Sequence, residues 1–170
     1  MKQFIIYTDG SYGEGQETHG GIVYWDAETN VPQAKMHVYT TLPDFCSMRN
    51  VGGEVLAAYT AIFTAVQKIK KYNEEFMDSY KITLVFDYKG IGLWLTGKWQ
   101  ARKKATAWFV KSVKELMAEV PNTSIEYVWV PGHTNHIPGN EHADKVAEYT
   151  TRYAKDNGIA ICCMDDFIKF

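Results

Sequence analysis

The sequence predicts a mixed α/β domain in which one mixed sheet carries packed helices. Two short apolar runs, residues 4–8 and 82–86, each stop at an aspartate, the pattern of strands buried on both faces. Between them, Val55, Ala58, Tyr59, Ile62, Ala65, Val66 and Ile69 recur at helical spacing. Strand-like and helical stretches then alternate with no internal repeat and no long linker, which suits a single sheet covered by helices.

The first strand, 4–8, ends at Asp9-Gly10, and a Gly-rich connection leads to strands at 20–25 and 34–39, a meander. The long helix follows from about residue 55 and closes on Lys68, Lys70 and Lys71, cations that suit a helix C-terminus. Strand 82–86 ends at Asp87. A short helix through Trp94 and another over about 105–119 precede the break at Pro121-Asn122. Strand 125–130 ends at Pro131-Gly132, and a last helix is expected over about 140–154.

A chain of 170 residues can bury a substantial core in one domain. With 46% hydrophobic and 22% charged residues it has an ordinary globular composition. No apolar run reaches the length of a membrane span, and the N-terminal segment lacks the form of a signal peptide. Cys46, Cys162 and Cys163 form neither a CxxC pair nor an even extracellular framework, so a reducing cytoplasm is the expected setting. The net charge of -2 gives no bulk signal for nucleic-acid binding, which would need a local basic face.

Asp9 and Asp87 close apolar strands, where open α/β sheets place their ligand crevice. Glu54 falls in the first turn of the long helix and Asp144 in the first turns of the last one. Each acid alone has an ordinary reading as a turn, a helix-dipole partner or a solvated charge. Together they would repel, by roughly 4 kcal/mol per pair at about 4 Å and an effective dielectric near 20. Such a crevice needs protons or cations, and oxygen-only ligands favour Mg²⁺ or Mn²⁺ over zinc. Two such ions can serve both oxygens of an in-line phosphodiester displacement. Spacing alone leaves open whether the four acids converge.

The residues around the acids are more specific. Tyr7-Thr8-Asp9-Gly10-Ser11, Arg49-Asn50-Val51-Gly52-Gly53-Glu54 and Phe86-Asp87-Tyr88 followed by Trp94 come in this order. Last comes Gly132-His133, continuing through Gly139-Asn140-Glu141-His142-Ala143-Asp144. Over roughly residues 3–155 the chain resembles type 1 ribonuclease H, in a bacterial and phage-like form. The resemblance implies a five-stranded mixed sheet flanked by helices and hydrolysis of the RNA strand of RNA–DNA hybrids, leaving 3′-hydroxyl and 5′-phosphate ends. It places four metal ligands on Asp9, Glu54, Asp87 and Asp144, with two Mg²⁺ ions and Mn²⁺ as a substitute. It also puts a mobile-loop histidine, assisting proton transfer or product release, on His133. Asn50 matches a minor-groove contact that can sense a 2′-hydroxyl; a helix cap is its other reading, and both can hold. Asn140, in the last motif, joins the expected substrate contacts.

Lys98, Arg102, Lys103 and Lys104, beside Trp94 and Trp99, form the expected basic face, with lysines on phosphates and an aromatic against a deoxyribose. The alternative is a solvated charge run beside core tryptophans. The sequence departs from the family in Phe-Asp-Tyr where Ser-Asp-Ser is commoner, and in a shorter basic segment. No hybrid-binding domain is expected ahead of the catalytic motif. The reading assigns residues 1–155 to the catalytic domain of a monomer with no membrane association. Residues 156–170 form a tail expected to pack on the domain edge, with partner binding as the alternative. A DNA-cutting nuclease of the same superfold and a non-catalytic hybrid binder remain as competing functions. The loop around His133 and Asn50 speak against the first, and retention of all four acids against the second.

Overall fold

A computed structural model describes residues 1–13, 15–73 and 78–170. Three antiparallel strands, β1 (Lys2–Tyr12), β2 (Thr18–Asp26) and β3 (Val31–Thr40), lead through α1 (Pro43–Cys46) into the long α2 (Asn50–Asn73). Then come β4 (Tyr80–Phe86), α3 (Gly90–Leu95), α4 (Lys104–Ala118) and β5 (Thr123–Trp129). The last elements are α5 (Pro138–Glu148), α6 (Thr151–Asp156) and β6 (Ala160–Cys163). The sheet order is β5-β4-β1-β2-β3-β6, with β4 parallel to β1 and β5 parallel to β4. No helix among the described residues is long and apolar enough to cross a membrane.

Strand alternation divides the interior in two. Ile6 and Ile22 point into the main core with α2 and α4, whereas Tyr7 and Val23 face a smaller cluster with Ala143 and Val146 of α5. The central strands are therefore covered on both faces, which is why they read as continuous apolar runs. Fully buried Ile6, Ile22 and Leu84 each contribute roughly 1.5–3 kcal/mol by leaving water.

Four features differ from the sequence expectations. The sheet has six strands, because residues beyond 155 supply β6, parallel to β3 with Met36 opposite Ala160. An open strand edge offers unpaired backbone groups, and the apolar run Ile159-Ala160-Ile161 fills it. Asp165 fastens this segment by accepting from the Thr41 amide at 2.9 Å, and Met164 and Ile168 are buried in the main core. Second, Asp9 lies inside β1 rather than at its end. The pairing of β1 with β4 stops at Tyr7–Val85, but β2 carries β1 on to Tyr12. Third, α2 begins at Asn50, which puts Glu54 in its second turn. Fourth, the last helix is two. The Val146 carbonyl meets the His37 imidazole Nδ1 at 2.8 Å and the Tyr149 amide at 3.3 Å, Tyr149 turns extended, and the Thr150 side chain caps α6 from Tyr153 N.

Candidate active site

Asp9 sits just past the point where β1 and β4 part, and Asp87 directly follows β4, so both border one opening in the sheet. Glu54 reaches the same place because α2 crosses β1 and β2 at very short range. A Cβ on Gly10 would stand 2.2 Å from the Glu54 amide nitrogen, and one on Gly53 would stand 2.1 Å from the His19 carbonyl oxygen. The Gly52-Gly53-Glu54 segment is thus a docking surface as well as a ligand carrier.

One oxygen from each of Asp9, Glu54 and Asp87 lies within 4.8 Å of the other two. Asp9 and Glu54 are only 4% and 5% exposed. Asp9 Oδ1 accepts from the Gly10 amide at 2.7 Å, but Glu54 Oε2 is buried with no hydrogen-bond partner. Burial pushes the Asp9 carboxyl up to about 7, with Asp87 and Asp144 pushing the same way and hydrogen bonds with Glu54 and the Gly10 amide opposing. Burial, then Asp9 and Asp87, hold Glu54 well above the usual carboxylate range. Three crowded carboxyl groups and an orphaned buried oxygen are unfavourable alone, and a hard cation with oxygen ligands supplies what they lack. The residues therefore fit a divalent cation.

Asp144 stands at the rim. A Cβ on Gly21 would stand 2.1 Å from the Ala143 carbonyl oxygen, so α5 lies directly on β2 and brings Asp144 beside Asp9. His133, in a loop with positive φ, exposes 79% of its side chain, and its Nδ1 lies 3.9 Å from Asp144 Oδ2. Asn140, expected to touch substrate, is 5% exposed and donates from Nδ2 to Asp87 Oδ2 at 3.4 Å. Trp129, which sequence reasoning passed over, donates its indole N–H to the Asp87 carbonyl at 2.8 Å. A tryptophan ending a strand reads as core, so nothing local distinguished it.

The expected basic face divides. Arg49, Tyr88, Trp94, Gln100, Arg102 and Lys103 line a slot of about 350 Å³ between the start of α2 and the α3–α4 connection. Arg49, Tyr88 and Gln100 were not foreseen; the first two adjoin Asn50 and Asp87, a proximity that could have marked them. Asn50 is exposed at the first position of α2. Trp99 is 47% exposed and packs edgewise on the half-buried Trp94 with centroids 6.2 Å apart. Lys98 lies elsewhere, in a slot lined by Leu93 and Thr96, another face of α3. Lys104 turns to the tail, 3.9 Å from Asp44 and 4.6 Å from the Phe170 ring centroid.

Comparison with known proteins places this arrangement. The family model described as RNase H matches residues 1–152. A protein named Ribonuclease H from Polynucleobacter asymbioticus is 32% identical over 155 residues, covering 84% of this chain and 86% of that one. The N-terminal RNase H domain of a Mycobacterium tuberculosis protein has the same fold, with a TM-score of 0.66 at 17% identity, over 93% of this chain and 99% of that one. LC11-RNase H1, from a compost metagenome, was solved in complex with RNA/DNA hybrid; it gives a TM-score of 0.55 at 20% identity, over 84% and 97% of the two chains. With the family model spanning nearly the whole chain and a buried acidic cluster at its centre, the chain belongs to the ribonuclease H family of enzymes.

Proposed function

We propose that the protein hydrolyses the RNA strand of RNA–DNA hybrids with Mg²⁺, leaving 3′-hydroxyl and 5′-phosphate ends. The buried trio of Asp9, Glu54 and Asp87, with Glu54 Oε2 unpartnered, carries this reading within a ribonuclease H chain. The relative solved with an RNA/DNA hybrid supports the choice of substrate. Asp9, Glu54 and Asp87, with Asp144 at the rim, would hold two Mg²⁺ ions, for which Mn²⁺ can substitute. When bound, such ions supply a nucleophilic water and stabilise the leaving oxygen.

The chain's own residues do the rest. Asn140 and the Trp129 indole hold Asp87 from both its carboxylate and its carbonyl. Asn50, exposed beside Arg49, offers an amide to a 2′-hydroxyl. Arg102 and Lys103 meet phosphates of the DNA strand in the slot beside Trp94, with Trp99 at its edge. His133 is free to take or give a proton at the rim beside Asp144. His133→Ala should lower turnover by roughly ten- to a few hundred-fold, measured under saturating hybrid. A loss as complete as that from removing a metal ligand would give His133 a more central part.

The deciding experiment uses one labelled set of duplexes (hybrid, DNA, RNA) with Mg²⁺, Mn²⁺ or EDTA, and maps the product ends. Cleavage of only the RNA strand of the hybrid, abolished by EDTA, is the expected result. Cleavage of DNA, or binding without cleavage, would replace the reading with one of the two competing functions. The proposal extends to a monomer in a reducing cytoplasm, with residues 1–155 as the catalytic unit and the tail as an edge-packing segment.

A further inference from the structure

A second slot, of about 300 Å³, opens on the face of α3 turned away from Trp94. Phe86, Leu93 and Tyr127 give it apolar walls, and Lys89, Lys98 and Trp129 stand around it. The volume is at the lower end for small-molecule sites. Trp129 keeps 45% of its surface exposed although it borders Phe86, which is 1% exposed. Its indole N–H is tied to the Asp87 carbonyl, so the ring is held at the edge of the acidic cluster. The Lys89 ammonium rests 4.5 Å from the ring centroid. Among the described residues neither Lys89 nor Lys98 has a carboxylate partner.

An exposed, anchored aromatic with two cations that lack a carboxylate partner matches a base attached to phosphate. Within a duplex the base faces are already stacked on one another, so the base this slot can take is an unpaired one. We propose that the slot binds an unpaired base of the RNA strand where that strand leaves the hybrid, so that an RNA extension tightens binding. This rests on the hybrid-cleaving function proposed above. The strand follows from position: the slot abuts Asp87, which faces the strand to be cut, whereas the basic slot assigned to the DNA strand lies across α3. A base takes the place of the Lys89 ammonium on the indole, and the freed ammonium meets the adjoining phosphate. The exchange is favourable because a base covers more of the ring than an ammonium does, and stacking tolerates any base.

The test measures binding of the full chain, in EDTA to prevent cleavage, to labelled hybrids that are blunt or carry a short single-stranded extension. The extension is placed on the RNA 5′ end, the RNA 3′ end or the DNA. One RNA extension should tighten binding about tenfold, within the range for stacking one base, and the DNA extension should not. Trp129→Ala should remove the gain. Trp129→Phe, which loses the donor to Asp87 but keeps a ring, should retain most of it. Lys89→Ala with Lys98→Ala should leave the extended substrate with the blunt substrate's dependence on salt. No gain from either RNA extension, an equal gain from DNA, or a gain that survives Trp129→Ala in a folded protein would each overturn the proposal. Cleavage of the blunt hybrid with Mg²⁺, run alongside, judges the proposed function separately, so the slot can fail while that function stands.

Discussion

His19 and His37, on β2 and β3, and Asp9, Glu54 and Asp87, around β1 and β4, are both crowded, largely buried clusters of side chains of one chemical kind. The histidines hydrogen-bond to each other and to the backbone. A carbonyl can only accept, so the bond to Val146 fixes the His37 proton on Nδ1. Its Nε2 then accepts from His19 Nδ1 at 3.0 Å, and His19 Nε2 is left facing Glu17 at 3.6 Å. The buried His37 ring is satisfied at both nitrogens while neutral, and burial agrees. Burial, aided by His37, pushes His19 down to about 4, and it lowers His37 despite the Val146 carbonyl. The carboxylates have no such internal solution, because ionised they only accept. Burial, crowding and the orphaned Glu54 Oε2 leave them needing something the chain does not supply. A satisfied buried cluster holds a fold together, here by pinning α5 to β3; an unsatisfied one marks a ligand.

The largest test of that contrast is activity. Asp87→Asn should abolish cleavage of the hybrid in a folded protein, whereas His37→Asn, whose amide can still donate toward Val146, should keep turnover within a few-fold of the parent. Near-parental turnover for Asp87→Asn with Mg²⁺ would remove the metal assignment.

Next in size is the pH dependence of melting in EDTA, where the clusters should act with opposite sign. Asp9 and Glu54 have raised values in the folded state, so their contribution is fully present below about 4 and is lost as pH rises, for Asp9 through about 7. His19 and His37 have lowered values, so theirs is present above about 6.5 and is lost as pH falls, for His19 through about 4. Asp9→Asn should flatten the alkaline limb and His37→Asn should shrink the acid one. Saturating Mg²⁺ should lift the alkaline limb of the parent and of His37→Asn but not that of Asp9→Asn. Two unchanged limbs in both variants would break the comparison.

Smaller effects sharpen it. His37→Ala removes a donor from Val146 and an acceptor from His19 and leaves a void, a combined cost of roughly 2 kcal/mol in urea denaturation. A cost under about 0.5 kcal/mol, the level of an ordinary surface change, would mean that the pair does not hold α5. Asp87→Asn should instead stabilise the metal-free protein by about 1 kcal/mol, through relief of like-charge repulsion. Thermal melts across a Mg²⁺ series should narrow or reverse that gain, because the parent binds the cation more tightly and is stabilised by mass action. Identical melts of the parent with and without metal would show that the acids form no cation site.

The sequence by itself determined the element types, the helix-covered mixed sheet and the acidic motifs. Apolar runs, helical spacing and Gly-Gly before Glu54 are local signals, written in residues a few positions apart. Asp9 and Glu54 were legible because the residues next to them, Gly10 and Gly53, also make the close contacts that gather them, and Asp87 because it ends an apolar strand. Tertiary structure alone decided the rest. Asp144 stays at the rim because α5 rides on β2 at Gly21, and the helix after it breaks because His37, more than a hundred positions earlier, meets the Val146 carbonyl. Lys98 and Lys103, close in sequence, are parted by α3 into separate slots, and Lys104 is drawn to Phe170. The tail became a sixth strand because β3 had an open edge for it. Local spacing reports the neighbours that a backbone period creates, whereas which helix faces meet, which strand edges stay open and which charges share a crevice are settled by contacts distant in the chain.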